Sequence, residues 1–248
     1  MSALDEYRRR IESRGRTKRE ASLIREKRML NLRVPENLSY HTVTIDDVSQ
    51  DVAIVNSDNL NEKYIYSLPD QELVLGGLVF WKDNYWLINE CDANDTVYTR
   101  GKLLQCNHLL KWIDKQGEIH EQWCAVEDGT KYLTGEYEDR LYIAARGDTR
   151  IAITIARNEF TAKLAREQRF LIDDPQSNLK LAYLLSKPLK VPLVYNGRGV
   201  FKFVLQEVVT TDDDNQELGI ADYYKYFPKD PGLSNDTPSD DTGKRVWL

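Results

Sequence analysis

Between Gly77 and Val126 the chain reads GLVFWKDNYWLINECDANDTVYTRGKLLQCNHLLKWIDKQGEIHEQWCAV and carries four of its five tryptophans. Short β-branched and aromatic runs alternate there with turn residues, at Asp83-Asn84, at Asp92 to Asp95 and at Asp114 to Gly117. That pattern predicts consecutive antiparallel hairpins. Trp81, Tyr85 and Trp86 flank the first turn, and Trp112 and Trp123 flank the last, the spacing that cross-strand aromatic pairing requires. None of these turns carries a catalytic motif, so the segment reads as a rigid sheet.

The flanking regions extend the same reading. Tyr40 to Ile45 and Val52 to Val55 are expected strands around a polar turn at Asp46 to Asp51. Tyr64 to Tyr66 follows, and Leu68-Pro69-Asp70 turns the chain into the meander. The polar stretch Gly129 to Glu138 is the expected boundary. Beyond it, strands are expected at Arg140 to Ala145, Arg150 to Ala156, Phe170 to Ile172, Lys180 to Ser186 and Val200 to Val209. In the last of these, Phe201, Phe203 and Leu205 share one apolar face destined for a core. Asn158 to Ala165 reads as a polar excursion or helical turn, and Asp173-Asp174-Pro175 and Asn196-Gly197 as turns. The expected fold class is mainly β, with antiparallel meander or barrel-like modules, an N-terminal helical arm and a flexible C-terminal tail. The expected division is a basic helical arm at 1–34, a Trp-rich β module at 35–137, a second β module at 138–210 and an acidic tail at 211–248.

Charge is unevenly distributed. The first thirty residues hold ten Lys/Arg against five Asp/Glu, whereas the whole chain is −6. Leu4, Tyr7 and Ile11, and then Leu23, Ile24 and Lys27, fall at helical spacing on either side of Gly15, and Pro35 ends the arm. Such an arm docks on an acidic surface or on phosphate, or serves only as a solvated helix. The residues expected to make interactions are Arg8, Arg9, Arg10, Arg14, Arg16, Lys18 and Arg19, joined from the second module by Lys163 and Arg166. The acidic body opposes a purely nucleic-acid-binding role.

Candidate chemistry is sparse. Cys106-x-His108 and His120-x-x-x-Cys124 lie on two arms of one expected hairpin, an arrangement that could offer zinc ligands, but the spacing matches no finger or ribbon. Buried reduced thiols at Cys106 and Cys124, with no metal, are the expectation. The run Asp212, Asp213, Asp214, Asn215, Glu217 lacks the glycine and terminal glutamate of a calcium loop. Arg146-Gly147-Asp148 matches an adhesion tripeptide, yet Gly-Asp between strands is also turn chemistry. No phosphate loop, nucleophile elbow or His-Glu-x-x-His motif occurs, so the chain is expected to be no enzyme, to carry no cofactor and to have no catalytic residues. It holds no apolar run of the ~20 residues a membrane span needs. Surface tryptophans leave a carbohydrate-binding or hydrolytic β protein as another class.

Trp86 to Ile88, Lys102 to Trp112 with Cys106 and Asn107 inside, and Gly117 to Ile119 together form a recurring pattern. In the second half, Ile151 to Ile155, Asn158 to Lys163, Arg169 to Asp173, Tyr183, Gly199 to Leu205 and Asp213 to Tyr223 continue it. Over residues 40–227 this pattern resembles minor virion proteins of tailed phages that infect Gram-positive bacteria. The resemblance implies a non-enzymatic head-tail connector or neck protein, made in the bacterial cytoplasm and carried in the virion. It further implies a homo-oligomeric ring that binds portal and tail proteins close to packaged DNA, or else another capsid- or tail-associated structural protein. No membrane association is implied.

Overall fold

The computed structural model describes residues 4, 6–8, 15–92, 96–128, 150–174 and 177–228. After a helix α1 (Lys18–Arg33), six strands follow: β1 (Tyr40–Ile45), β2 (Val48–Asn56), β3 (Glu62–Ser67), β4 (Leu78–Trp81), β5 (Asn84–Asp92) and β6 (Arg100–Gln105). They close into an antiparallel barrel in the order β1-β2-β3-β6-β5-β4. The closing seam between β1 and β4 is short, pairing Thr44 with Phe80 and Ile45 with Val79. Asp46 extends it, donating its backbone N–H to Leu78 O at 3.0 Å and accepting the Leu78 N–H on Oδ1 at 2.8 Å. Closure leaves this sheet without an exposed edge.

The second sheet contains β7 (His108–Ile113), β8 (Ile119–Asp128), β9 (Arg150–Ala156), β10 (Arg169–Ile172), β11 (Leu181–Leu189), β12 (Val194–Tyr195) and β13 (Arg198–Val208). Its order is β10-β11-β13-β9-β8-β7, with β12 beside β13. The sheet curls until its edges β7 and β10 lie against each other, and Gln168 Nε2 donates to Ile113 O across the gap at 3.3 Å. The fold is therefore mainly β, as two barrel-like antiparallel sheets with a short N-terminal helix.

Turn chemistry explains the hairpins. Asp46-Asp47, Lys82-Asp83 and Asn196-Gly197 have positive φ at both central residues, the two-residue geometry whose twist matches antiparallel strands. The turn expected at Asp46 to Asp51 is therefore only two residues long, and the polar run after it belongs to β2. The turn expected at Asp83-Asn84 sits one residue earlier.

Each sheet encloses its own core. Val43, Val52, Ile65, Val79, Trp86 and Ile88 fill the first, and Trp112, Phe170, Leu185, Phe201, Phe203 and Leu205 are prominent in the second. Alternation along a strand then places the intervening residues between the two sheets. Leu87, between Trp86 and Ile88, packs with Cys106, Ala156 and Val200 at the junction. There Tyr85 stacks on Trp123 with centroids 4.8 Å apart. Backbone comes close as well, because a Cβ on Gly76 would collide with the carbonyl of Gly199.

The sheets divide the chain differently from the expected modules 35–137 and 138–210. The change of sheet falls at Cys106-Asn107, so β7 and β8 pair with β9 in the second sheet. Of the four tryptophans, Trp81 and Trp86 thus go to the first core, Trp112 to the second and Trp123 to the junction between them. Turn and strand signals locate hairpins but carry no information on which sheet a hairpin joins. The expected boundary at Gly129 to Glu138, the expected strand at Arg140 to Ala145 and the tripeptide Arg146-Gly147-Asp148 lie outside the described residues.

The C-terminal expectation also needs correction over its first part. Asn215 bridges Ile220, both Ile220 and Ala221 are buried, and a short helix α2 (Tyr223–Tyr226) follows. Arg169 holds this segment. It gives Nη1 and Nη2 to the two oxygens of Asp214 at 2.9 and 2.8 Å and Nη1 to Asp222 Oδ1 at 2.7 Å. The acidic run looked solvent-directed because its cation lies far back in the chain. Residues 229–248 lie outside the described set.

Candidate functional site

Two features carry expected interaction residues that the structure describes. The first is α1. Thr17 caps it by accepting the Glu20 N–H, while Glu20 reaches back to the Thr17 N–H in a capping box. Val34-Pro35-Glu36 then ends the helix in a 3₁₀ turn, as the proline predicts. No residue of α1 is buried, and Ile24, Met29 and Leu32 are exposed. Lys27 Nζ ties the helix to Asp70, in the loop between β3 and β4, at 2.6 Å. Of the expected interaction residues, Arg8, Arg16, Lys18 and Arg19 are exposed, whereas Arg9, Arg10 and Arg14 lie outside the described residues.

The second feature is a groove of about 560 Å³ on the second sheet, between the β7–β8 turn, the loop 158–168 and α2. Trp112 forms its buried floor. His120 tilts against Trp112 at 5.6 Å and stacks on Phe160 at 4.3 Å, with the planes 27° apart. Lys163 Nζ lies 5.6 Å from the Phe160 centroid, and Arg166 and Tyr226 complete the rim. The structure therefore brings Lys163 and Arg166 to one groove, away from the arm that Asp70 holds.

The loop that presents Phe160 is fixed by short-range polar bonds. Asn158 Oδ1 accepts the N–H groups of Phe160 and Thr161 at 3.0 and 2.7 Å. Thr161 Oγ1, fully buried, donates to Ala156 O at 2.9 Å and accepts the Asn158 N–H at 2.8 Å. Lys190 Nζ donates from the other side to the carbonyls of Ala162, at 2.6 Å, and Leu164. The helical turn expected here is a 3₁₀ turn over Thr161–Lys163.

The β7–β8 turn supplies the titratable groups. Asp114 Oδ1 accepts the N–H groups of Gln116 and Glu118, both at 2.9 Å, and Oδ2 faces His120 Nε2 at 3.1 Å. Burial pushes the Asp114 carboxyl up, but the Glu118 N–H, the His120 ring and the Gln116 N–H outweigh it and hold it below the usual carboxylate range. Ligand atoms of Asp114, Glu118 and His120 all lie within 4.8 Å of one another.

The cysteine-histidine set of the sequence is not gathered with these groups. His108 pairs with Cys124 and Trp112 with His120, so His120 sits at the other end of the hairpin, about 13 Å along the strand. Cys106 and Cys124 are free and buried, and burial pushes the Cys106 thiol up to about 12 and Cys124 further up. At the acidic run, the guanidinium of Arg169 occupies the place a cation would take between the Asp214 and Asp222 carboxylates.

The sequence gives no sign of a role in this groove for Phe160 or Tyr226, nor of the pairing of Arg169 with the acidic run. The turn at Asp114 to Gly117 is legible in the sequence, but the ring stacked on His120 is not. No protein-family model, curated protein or solved structure matches the chain. Among the described residues no helix is long and apolar enough to cross a membrane.

Proposed function

We propose that the chain is a non-enzymatic structural component of a tailed-phage particle, of the head-tail connector kind, working as a homo-oligomeric ring between portal and tail. The observation that carries this reading is α1. A capped sixteen-residue helix with no buried residue and with Ile24, Met29 and Leu32 exposed gains little from its own body. Most helical stability in proteins comes from packing of an apolar face, and a neighbouring subunit would supply that packing here. The two sheets behind it, joined through a stacked Tyr85–Trp123 pair and close backbone contact, give a stiff body of the kind a ring subunit needs. The sequence pattern over residues 40–227 supports the same assignment.

Deletion of residues 1–33 is the experiment. The full chain should form a closed oligomer by native mass spectrometry and attach to phage heads. The truncated chain should keep its β-rich circular dichroism and do neither. Normal attachment without the arm would overturn the proposal. The aromatic groove favours a second reading, a saccharide-binding β protein. Saturable glycan binding lost on Phe160→Ala, with no oligomer formed, would establish that instead.

A further inference from the structure

The turn between β7 and β8 has a geometry that the connector reading does not use. We propose that Asp114, Glu118 and His120 form a binding site for a first-row divalent cation of the zinc class. The site is complete within one chain, beside the groove rim that carries Lys163 and Arg166, and it reverses the expectation of a metal-free chain through a different ligand set.

The argument begins with Asp114. Its Oδ1 is taken by two backbone N–H donors of the turn, which fixes the carboxylate plane and leaves Oδ2 directed at His120 Nε2. Cations of this class bind carboxylate oxygen and imidazole nitrogen at about 2.0–2.2 Å. Two such bonds in the tetrahedral arrangement usual for zinc place their ligand atoms about 3.4 Å apart. The 3.1 Å between Oδ2 and Nε2 lies within about 0.3 Å of that edge, a gap that a small side-chain adjustment closes. Glu118 brings a third donor within 4.8 Å, and its exposed side chain can close the remaining distance by a rotamer change.

Rigidity favours the same conclusion. Asp114 donates its N–H to Glu118 O at 3.0 Å, and Gly117 returns one to Asp114 O at 3.1 Å, so Asp114 and Glu118 ride on one closed turn, with His120 at the start of β8 beside it. The His120 ring is held between Phe160 and Trp112. Both Asp114 and His120 side chains are only 11% exposed. A mixed imidazole and carboxylate set suits zinc, nickel or manganese better than magnesium or calcium, which take oxygen donors. Three protein ligands leave coordination positions that open towards the groove. Lys115, Lys163 and Arg166 lie around that opening. They weaken the field of the two carboxylates at the cation, and they favour an anionic group as the additional ligand.

Calorimetric titration of the full chain with zinc chloride at neutral pH, with Co²⁺ absorption as a second readout, tests the site. One ion per chain should bind saturably, and Co²⁺ should give visible bands of a nitrogen- and oxygen-ligated centre. Glu118→Gln, an exposed change that leaves the melt intact, should weaken binding at least tenfold, and His120→Gln should abolish the Co²⁺ bands. Absence of saturable binding, or binding unchanged in both variants, would overturn the proposal. Thiolate-to-cobalt charge-transfer bands lost on Cys91→Ser would do the same, by placing the metal on a cysteine.

Discussion

Replacing Arg169 with methionine removes the cation that holds the segment after β13. In the native structure the Asp214 side chain has no solvent exposure and accepts four hydrogen bonds. Two come from Arg169, and two come from the N–H groups of Thr211 and Asp222. Without the guanidinium, a buried carboxylate keeps only the backbone donors. Removing one partner of such a pair costs about 3–5 kcal/mol. For a chain of this size that corresponds to a fall of roughly 6–20 °C in melting temperature. Asp214→Asn combined with Arg169→Met should recover part of the loss, because the uncharged amide leaves no buried carboxylate at that position and its oxygen still accepts from a backbone N–H of the segment. The pH dependence has a definite sign. Burial pushes the Asp214 carboxyl up, but the N–H groups of Asp222 and Thr211 together with Arg169 outweigh it and hold it below the usual range. The clamp is therefore fully stabilising above the unfolded carboxyl value of about 3.9 and is lost as pH falls through the lower folded value. Asp214→Asn should flatten the acid limb of the stability profile below that point. Thermal melts and limited proteolysis of the segment 211–227, from pH 2 to 7, are the assays. A melt and a cleavage pattern in Arg169→Met that match the native protein would refute the reasoning.

Phe203 is fully buried in the second core, so Phe203→Ala should lower stability by about 3–5 kcal/mol in denaturant melts. Gly76 has φ +83 and meets the Gly199 backbone, so Gly76→Ala should cost about 1–3 kcal/mol and weaken the near-ultraviolet signal of the Tyr85–Trp123 stack. With its thiol pushed up to about 12 by burial, Cys106 should resist iodoacetamide in the native state, as should Cys124. Mass spectrometry should find both labelled only after unfolding. Charge reversal at Lys163 or Arg166 should weaken assembly in a salt-dependent way without moving the melt, because both side chains lie on the groove rim.

Sequence alone determined what is settled within a few residues. β1 and β9 occupy the predicted spans Tyr40–Ile45 and Arg150–Ala156, and Phe201, Phe203 and Leu205 face the core as their alternation requires. Pro35 closes the arm, and Asn196-Gly197 makes a hairpin turn, because φ is fixed or freed at the residue itself. Tertiary structure decided the partners. Trp86 and Ile88 face one core while Leu87 joins the junction between sheets, so β5 is buried on both faces and its apolar run does not show which side meets which neighbour. The passage from barrel to second sheet at Cys106-Asn107, the Arg169–Asp214 clamp and the Phe160–His120 stack all join segments whose meeting depends on how the sheets close. Periodicity and turn chemistry are local free energies written into neighbouring residues, whereas pairing across the fold is a property of chain closure, and only the folded backbone supplies it.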